Sequence, residues 1–271
     1  MTSALRPPAV AGKFYPSRPE ELRRAVQEYT ATAQTGRVAA VGCIAPHAGY
    51  MYSGHVAGEL YSRLEIPNRV VILCPNHTGM GHPLAVMART AWQTPLGNVV
   101  ADAELGEALL TRFPSLREDS AAHRSEHAIE VQLPFLQMLQ PKLTFLPIAV
   151  GTSEFSVLHE LGQKLAEVIS GQPDKTLIIA SSDMNHYESD AITRVKDHKA
   201  IDRVLALDAR GLWDVVMNEH ISMCGFGPSV ALLTAARKLG AGSATLVKYA
   251  TSGDVSGDRD MVVGYAGIIV Q

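Results

Sequence analysis

Four apolar runs, each ending at a proline or a polar turn, constrain this chain more than any other feature. Val38–Ala45, Arg69–Cys74, Leu143–Val150 and Thr176–Ser181 are rich in aliphatic and β-branched residues with little polar alternation, the pattern of strands buried on both faces of a sheet. Stretches of helical character separate them. One opens at Pro19-Glu20-Glu21-Leu22 and runs to about Thr32, with proline and acids in its first turn. A second is expected from about Ser53, as cap, to Leu64, and others at Asp102–Phe113, Phe155–Ser170, Ala191–Leu205, Gly211–Glu219 and Pro228–Leu239. Shorter strands are expected at Leu84–Met87, near Val99, and at Ala244–Ala250 and Val262–Val270. Glu126–Leu139 reads as a helix with Ile129, Leu133 and Leu136 on one face, in which Pro134 starts a new segment or makes a kink. Strands alternating with helices predict an α/β fold with helices on both faces of the sheet.

With 271 residues and no repeat, linker or low-complexity tract, the whole chain reads as one domain, long enough to bury a core without disulfides. Its formal net charge of −3 and lack of clustered Lys and Arg give no reason to expect nucleic acid or an anionic membrane as partner. Three cysteines, Cys43, Cys74 and Cys224, suit a reducing compartment better than a disulfide framework. The leader MTSALRPPAVAGKFYP lacks the apolar region of a signal peptide, and no apolar run reaches the roughly 20 residues of a membrane span. A cytoplasmic protein is the expectation.

Position singles out the reactive residues. His47, His77 and the pair Asp183 and His186 each follow the carboxyl end of an expected strand, the edge at which open α/β sheets bind ligands. His47 sits in APHAGY and His77 in CPNHTG, two copies of a strand–Pro–His–Gly arrangement. Each could be a capped loop histidine, yet neutral imidazole is also the commonest ligand of first-row metals. In SSDMNH, Asp183 could orient His186, bind a metal or shuttle protons with it, or Ser182 or Asp183 could cap a helix. Cys224, in MCGFGP ahead of a helix, is expected to have a lowered pKa and to serve as ligand or nucleophile. Cys43 and Cys74 lie inside strands and read as small core residues. Glu126 and Glu130 stand four apart with His127 between them, as partners of a metal ligand, as substrate contacts, or as a solvated face. His55, His82, His123, His159, His198 and His220 look scattered, solvated or capping. The acidic stretch Thr251–Asp260 lacks the spacing and terminal Glu of a calcium loop and reads as a structured turn. The chain carries no GxxxxGK[ST], HExxH, GxSxG or CxxC, and no GxGxxG after a first strand, so nucleotide-binding, zincin and serine-hydrolase chemistry lose their usual signatures.

RPPAVAGKFYP, APHAGYMYSG, CPNHTG, SEHAIEVQLPFL, SSDMNHY, the Cys-Gly of MCGFGP and SGDVSGD followed by VVGYAG occur here in order. Together, over essentially the whole chain, they resemble the MEMO family, and in particular its prokaryotic branch, known as AmmeMemoRadiSam system protein B. That resemblance implies a three-layer sandwich like that of the class III extradiol ring-cleavage dioxygenases, with a central mostly parallel or mixed sheet. It implies a metal held by His47, His77 and Cys224, with Asp183 and His186 facing it and His186 as the acid/base group. A cysteine stands where the ring-cleaving enzymes use a carboxylate, and a thiolate makes copper or zinc more competitive with Fe(II). The resemblance further implies a functional link to a radical-SAM protein and an AMMECR-type protein. Three readings follow: a redox enzyme dependent on non-haem iron (or copper) and acting on an unidentified small molecule; a non-catalytic metal- or peptide-binding adaptor; or a hydrolase or transferase with Cys224 as nucleophile and His186 as base.

Overall fold

A computed structural model of the chain describes residues 5–31 and 36–271. In chain order its elements are β1 (Leu5–Arg6), α1 (Pro19–Thr30), β2 (Gly42–Ala45), α2 (Tyr50–Ser62), β3 (Arg69–Pro75), β4 (Leu84–Val86), β5 (Ala91–Thr94), β6 (Gly97–Ala101), α3 (Ala103–Arg112), β7 (Arg117–Glu118), α4 (Leu133–Leu139), β8 (Thr144–Val150), α5 (Phe155–Ser170), β9 (Thr176–Ser181), β10 (His186–Glu188), α6 (Asp190–Leu205), α7 (Ala209–Asn218), α8 (Phe226–Lys238), β11 (Ala244–Thr251), α9 (Gly253–Ser256) and β12 (Val262–Val270). The main path of the sheet runs β1-β5-β6-β8-β3-β9-β2-β12-β10. Strands β6, β8, β3, β9 and β2 are mutually parallel; β12 returns antiparallel to β2 and carries β11 and β10, both antiparallel to it, on its flank.

Period-two geometry divides the core in two. Val71, Leu73, Leu146, Ile148, Ile178 and Ala180 face one way, onto α3, α5, α6, α7 and α8. Val70, Ile72, Phe145, Ala149, Leu177 and Ile179 face the other, onto α1, α2 and α4. Adjacent strand residues thus feed opposite layers, which is why the runs are apolar throughout. The result is a three-layer α/β sandwich. Among the described residues no helix is long and apolar enough to cross a membrane.

Several boundaries differ from expectation for local reasons. The helix after His47 begins at Tyr50 with Gly49 as cap residue, and Ser53 lies within it, its hydroxyl bonded back to the Ala48 carbonyl. The expected end of α1 at Thr32 lies outside the described residues. Only Gly42–Ala45 of the first apolar run pairs as strand, Val38 making an isolated bridge to Leu64. Glu126 and His127 are irregular and Ala128–Ile129 turns into a 3-10 segment at Glu130–Gln132, and Pro134 falls in the first turn of α4, where its missing N–H costs nothing. His123 is fully buried rather than solvated, its Nε2 donating to the Ala85 carbonyl. In the acidic stretch, Asp254 is taken up by Arg194 and Arg259.

Asp197 is buried beneath β12, accepting from the Asn185 N–H and from the Tyr249 hydroxyl, and burial pushes its carboxyl up to about 6. Since this lies above the value of about 3.9 in an unfolded chain, the native state holds the extra proton between roughly pH 4 and 6. Stability at this site therefore falls as pH rises through that window. Asp197→Asn, neutral at every pH, should gain on the parent by roughly 2 kcal/mol between pH 4 and pH 7. Urea melts of both proteins at those two pH values check this; a pH-independent difference would contradict it.

Candidate metal centre

Strand register brings the reactive residues together. Ala45 pairs with Ser181 across β2 and β9, and Leu73 with Ala180 across β3 and β9. His47 and Asp183, each two residues past a paired position, therefore leave neighbouring strands at one level, and His77 leaves the next strand close beside them. The His47 N–H donates to Asp183 Oδ1 at 2.7 Å, and the Ser182 N–H to the Ala45 carbonyl at 2.8 Å. Cys224 arrives from the loop before α8, where Gly225 packs against Ser182 so closely that an added Cβ would lie 2.3 Å from the serine Cβ. Only glycine lets that loop reach the strand end.

The Cys224 Sγ lies 3.2 Å from His47 Nε2, and one ligand atom from each of His47, His77 and Cys224 falls within 4.8 Å of the others. Ligands about 2.0–2.3 Å from one ion stand roughly 3.3–3.8 Å apart in a tetrahedral arrangement, so small side-chain adjustments suffice. The hydrogen bonds behind the rings prepare them for the task. His77 Nδ1 meets Glu126 Oε1 at 2.9 Å, while Glu126 also accepts from the His77 N–H at 2.7 Å and the Ala128 N–H at 3.0 Å. A carboxylate only accepts, so Nδ1 carries a hydrogen, and in the neutral ring Nε2 is the atom left for a metal. Burial alone would raise the Glu126 carboxyl, but the bonds and charge from His77 outweigh it and hold it below its ordinary value. The donor set thus fits a single transition-metal ion. In the chain by itself, burial and the neighbouring histidines keep His47 well below its usual pKa, hence neutral.

Cys224 departs from expectation. Burial and the adjacent Asp183 carboxyl push its thiol well above the ordinary value, outweighing the helix N-terminus that follows. Without a cation beside it the residue is a thiol, and a metal would have to displace its proton. Asp183 also has a different partner from the one anticipated. Its carboxylate serves the backbone of the His47 loop, and burial pushes it up to about 7. His186 is oriented instead by Ser222, whose carbonyl accepts from Nδ1 and whose hydroxyl accepts from the His186 N–H, both at 2.8 Å. Its ring lines the wall of the cleft.

That cleft has a volume of about 590 Å³ and is walled by Phe14, His127, Tyr187 and Tyr265 as well as by the three donors, Asp183 and His186. His127 stacks on His77, ring centroids 4.7 Å apart at 22°, and stands 5.3 Å from the His47 ring; with His77 and Glu126 it forms a second, overlapping group of metal-competent atoms. Glu130 belongs elsewhere. Its carboxylate accepts from Arg6, from the Ala9 and Val10 N–H groups and from the Tyr15 hydroxyl, so it anchors the N-terminal segment rather than contacting a substrate. Phe14, Tyr187 and Tyr265 lie inside the ordered motifs RPPAVAGKFYP, SSDMNHY and VVGYAG without being singled out as site residues, and Ser222 carried no signal. Tyr187 follows the His motif directly and adopts a left-handed backbone, φ 61°, with its ring exposed at the mouth.

A sequence profile of Memo-like proteins matches residues 6–269. A MEMO1 family protein of Methanosarcina mazei is 45% identical over 268 residues, covering 98% of this chain and 99% of that one. Similar proteins of Methanopyrus kandleri and Pyrobaculum aerophilum are 42% and 44% identical, each over 277 residues, with 97% and 98% of this chain and 98% of theirs covered. Among solved structures, an uncharacterized protein of Escherichia coli K12, JW3007, shares the fold at a TM-score of 0.52 and 13% identity, over 84% of this chain and 98% of that one. Fold, ordered motifs and near full-length identity agree: the chain belongs to the Memo family.

Proposed function

We propose that the cleft is a mononuclear metal centre, with His47, His77 and Cys224 as its protein ligands and Fe(II) as its resident ion, serving oxidation of a small-molecule substrate. The observation that carries this reading is the convergence of two imidazoles and a thiol, from three separate segments, within 4.8 Å of one another at the wall of a solvent-accessible cleft. Three protein ligands leave coordination positions open, the arrangement of a catalytic rather than a structural site. The thiolate keeps copper and zinc as competitors for the position. Bound iron would supply Lewis acidity and redox capacity.

The chain's own contribution is binding and proton management. Phe14, Tyr265 and Val263 give the cleft apolar walls that strip water from an apolar substrate. Neutral His186, with Nδ1–H fixed on the Ser222 carbonyl, presents an unprotonated Nε2 able to take a proton from a substrate hydroxyl. Burial lowers the pKa of this histidine, which keeps it a free base at neutral pH.

The short Cys224 to His47 contact also favours a second reading, a cysteine nucleophile with His47, in place of His186, as base. The raised thiol pKa argues against it, because an activated nucleophile needs the opposite shift.

Anaerobic loading with Fe(II), followed by oxygen-uptake assays against small phenolic and other apolar substrates, tests the proposal. His186→Gln is expected to keep its iron and lose about 10²–10⁴-fold in metal-dependent turnover. Release of iron from that variant, at unchanged fold, would make His186 a ligand. Chelator-resistant turnover would favour the cysteine mechanism.

A further inference from the structure

We infer that Ser181 and Gln132 form a tautomer lock on His47, holding its proton on Nδ1 so that the Nε2 lone pair faces Cys224 and the cleft. The inference rests on His47 as a ligand for its purpose, though its geometry stands without any metal. It follows from hydrogen-bond accounting in a buried network with no spare donors. The Pro46 carbonyl can only accept, so the group 2.9 Å from it is the Gln132 amide nitrogen, and the amide orientation is fixed. The amide oxygen then accepts from the Tyr61 hydroxyl at 2.8 Å. The second amide proton goes to Ser181 Oγ at 2.9 Å. The single hydroxyl proton of Ser181 goes to the Ala128 carbonyl, another pure acceptor, at 2.7 Å.

Only a lone pair of Ser181 remains for His47 Nδ1, 2.9 Å away. A lone pair facing a bare Nδ1 would leave two acceptors pressed together in a site without water access, where an unpaired polar group costs a full desolvation penalty. Nδ1 must therefore carry hydrogen. Ser181 and Gln132 are both fully buried and lie outside the cleft lining; they reach the site through the His47 ring and are positioning residues. The two imidazoles are thus set by different chemistries, His77 by a carboxylate and His47 by a neutral relay. The neutral relay leaves the charge of the centre unchanged.

Long-range ¹H–¹⁵N NMR of the ¹⁵N-histidine-labelled apo protein reads the tautomer directly, with His77 as internal control. The expected wild-type spectrum shows protonated Nδ1 and unprotonated Nε2 for both residues. In Ser181→Ala, His47 should populate the Nε2–H form while His77 is unchanged, and the dissociation constant for Co(II), used as an oxygen-stable optical probe, should rise about 10–100-fold. A wild-type His47 with hydrogen on Nε2 overturns the inference without recourse to any variant. So does a Ser181→Ala protein whose His47 tautomer is unaltered. If the tautomer switches as expected but wild-type protein takes up no Co(II), the lock stands and the metal reading falls.

Discussion

Cys224→Ser is expected to weaken iron binding well beyond the 10–100-fold typical of losing an outer partner of a ligand, while Cys43→Ser and Cys74→Ser leave it within a few-fold of wild type. The three cysteines sit in different physical settings. Cys43 and Cys74 are fully enclosed within β2 and β3 and fill space among aliphatic side chains. Serine there buries a hydroxyl and costs stability, on the order of 1–3 kcal/mol, without touching the donors. Cys224 is partly open to the cleft and 3.2 Å from His47 Nε2. Serine at that position keeps the shape but offers a far weaker, harder donor. Competition with a chromophoric chelator under anaerobic conditions measures all three. Equal losses would remove the distinction on which the assignment of Cys224 rests.

Glu130→Ala should destabilise the fold by about 3–5 kcal/mol, the cost of breaking a buried ion pair from one side. Arg6 and Glu130 are 2.7 Å apart with side chains only 2% and 0% exposed. The guanidinium also donates to the carbonyls of His123 and Glu126 and lies over the Trp92 ring at 3.9 Å. Removing the carboxylate strands that charge and orphans two backbone amides and the Tyr15 hydroxyl together. For a chain of this size the loss corresponds to a midpoint about 6–20 °C lower. A change below about 1 kcal/mol, by calorimetry and urea melts, would show that the N-terminal segment is dispensable. Because Arg6 holds the Glu126 carbonyl and Glu126 holds His77, weaker metal binding should accompany the loss.

The strands and the long helices were legible because local pattern determines them. Phe155–Ser170 and Thr176–Ser181 match α5 and β9 to the residue, each bounded by its own punctuation. The short strands β1, β5, β7 and β10 were not, since two to four residues carry no period, and β10 exists only because Val262 and Val263 pair with it. The site divides the same way. His47, His77 and Asp183 could be placed at one edge because strand ends are local features and parallel strands share that edge. The hydrogen-bond partners were out of reach: Ser181 meets Gln132 across 49 residues and Ser222 meets His186 across 36, separations that only the folded topology closes. Glu126 and Glu130, four apart, looked equivalent, and the non-helical stretch at 126–129 sends one carboxylate to His77 and the other to Arg6. The place of Cys224 just ahead of a helix was legible in the sequence, whereas the burial beside Asp183 that raises its thiol pKa was not, because only the folded chain brings the two together.

X-ray absorption at the iron K-edge of protein loaded anaerobically with one equivalent of Fe(II) tests the central claim most directly. The account predicts one ion per chain, with one sulfur scatterer at about 2.3 Å and two imidazole nitrogens at about 2.1 Å, the sulfur contribution vanishing in Cys224→Ser. A first shell of light atoms only in the wild-type protein, or a sulfur signal that survives that substitution, would contradict it.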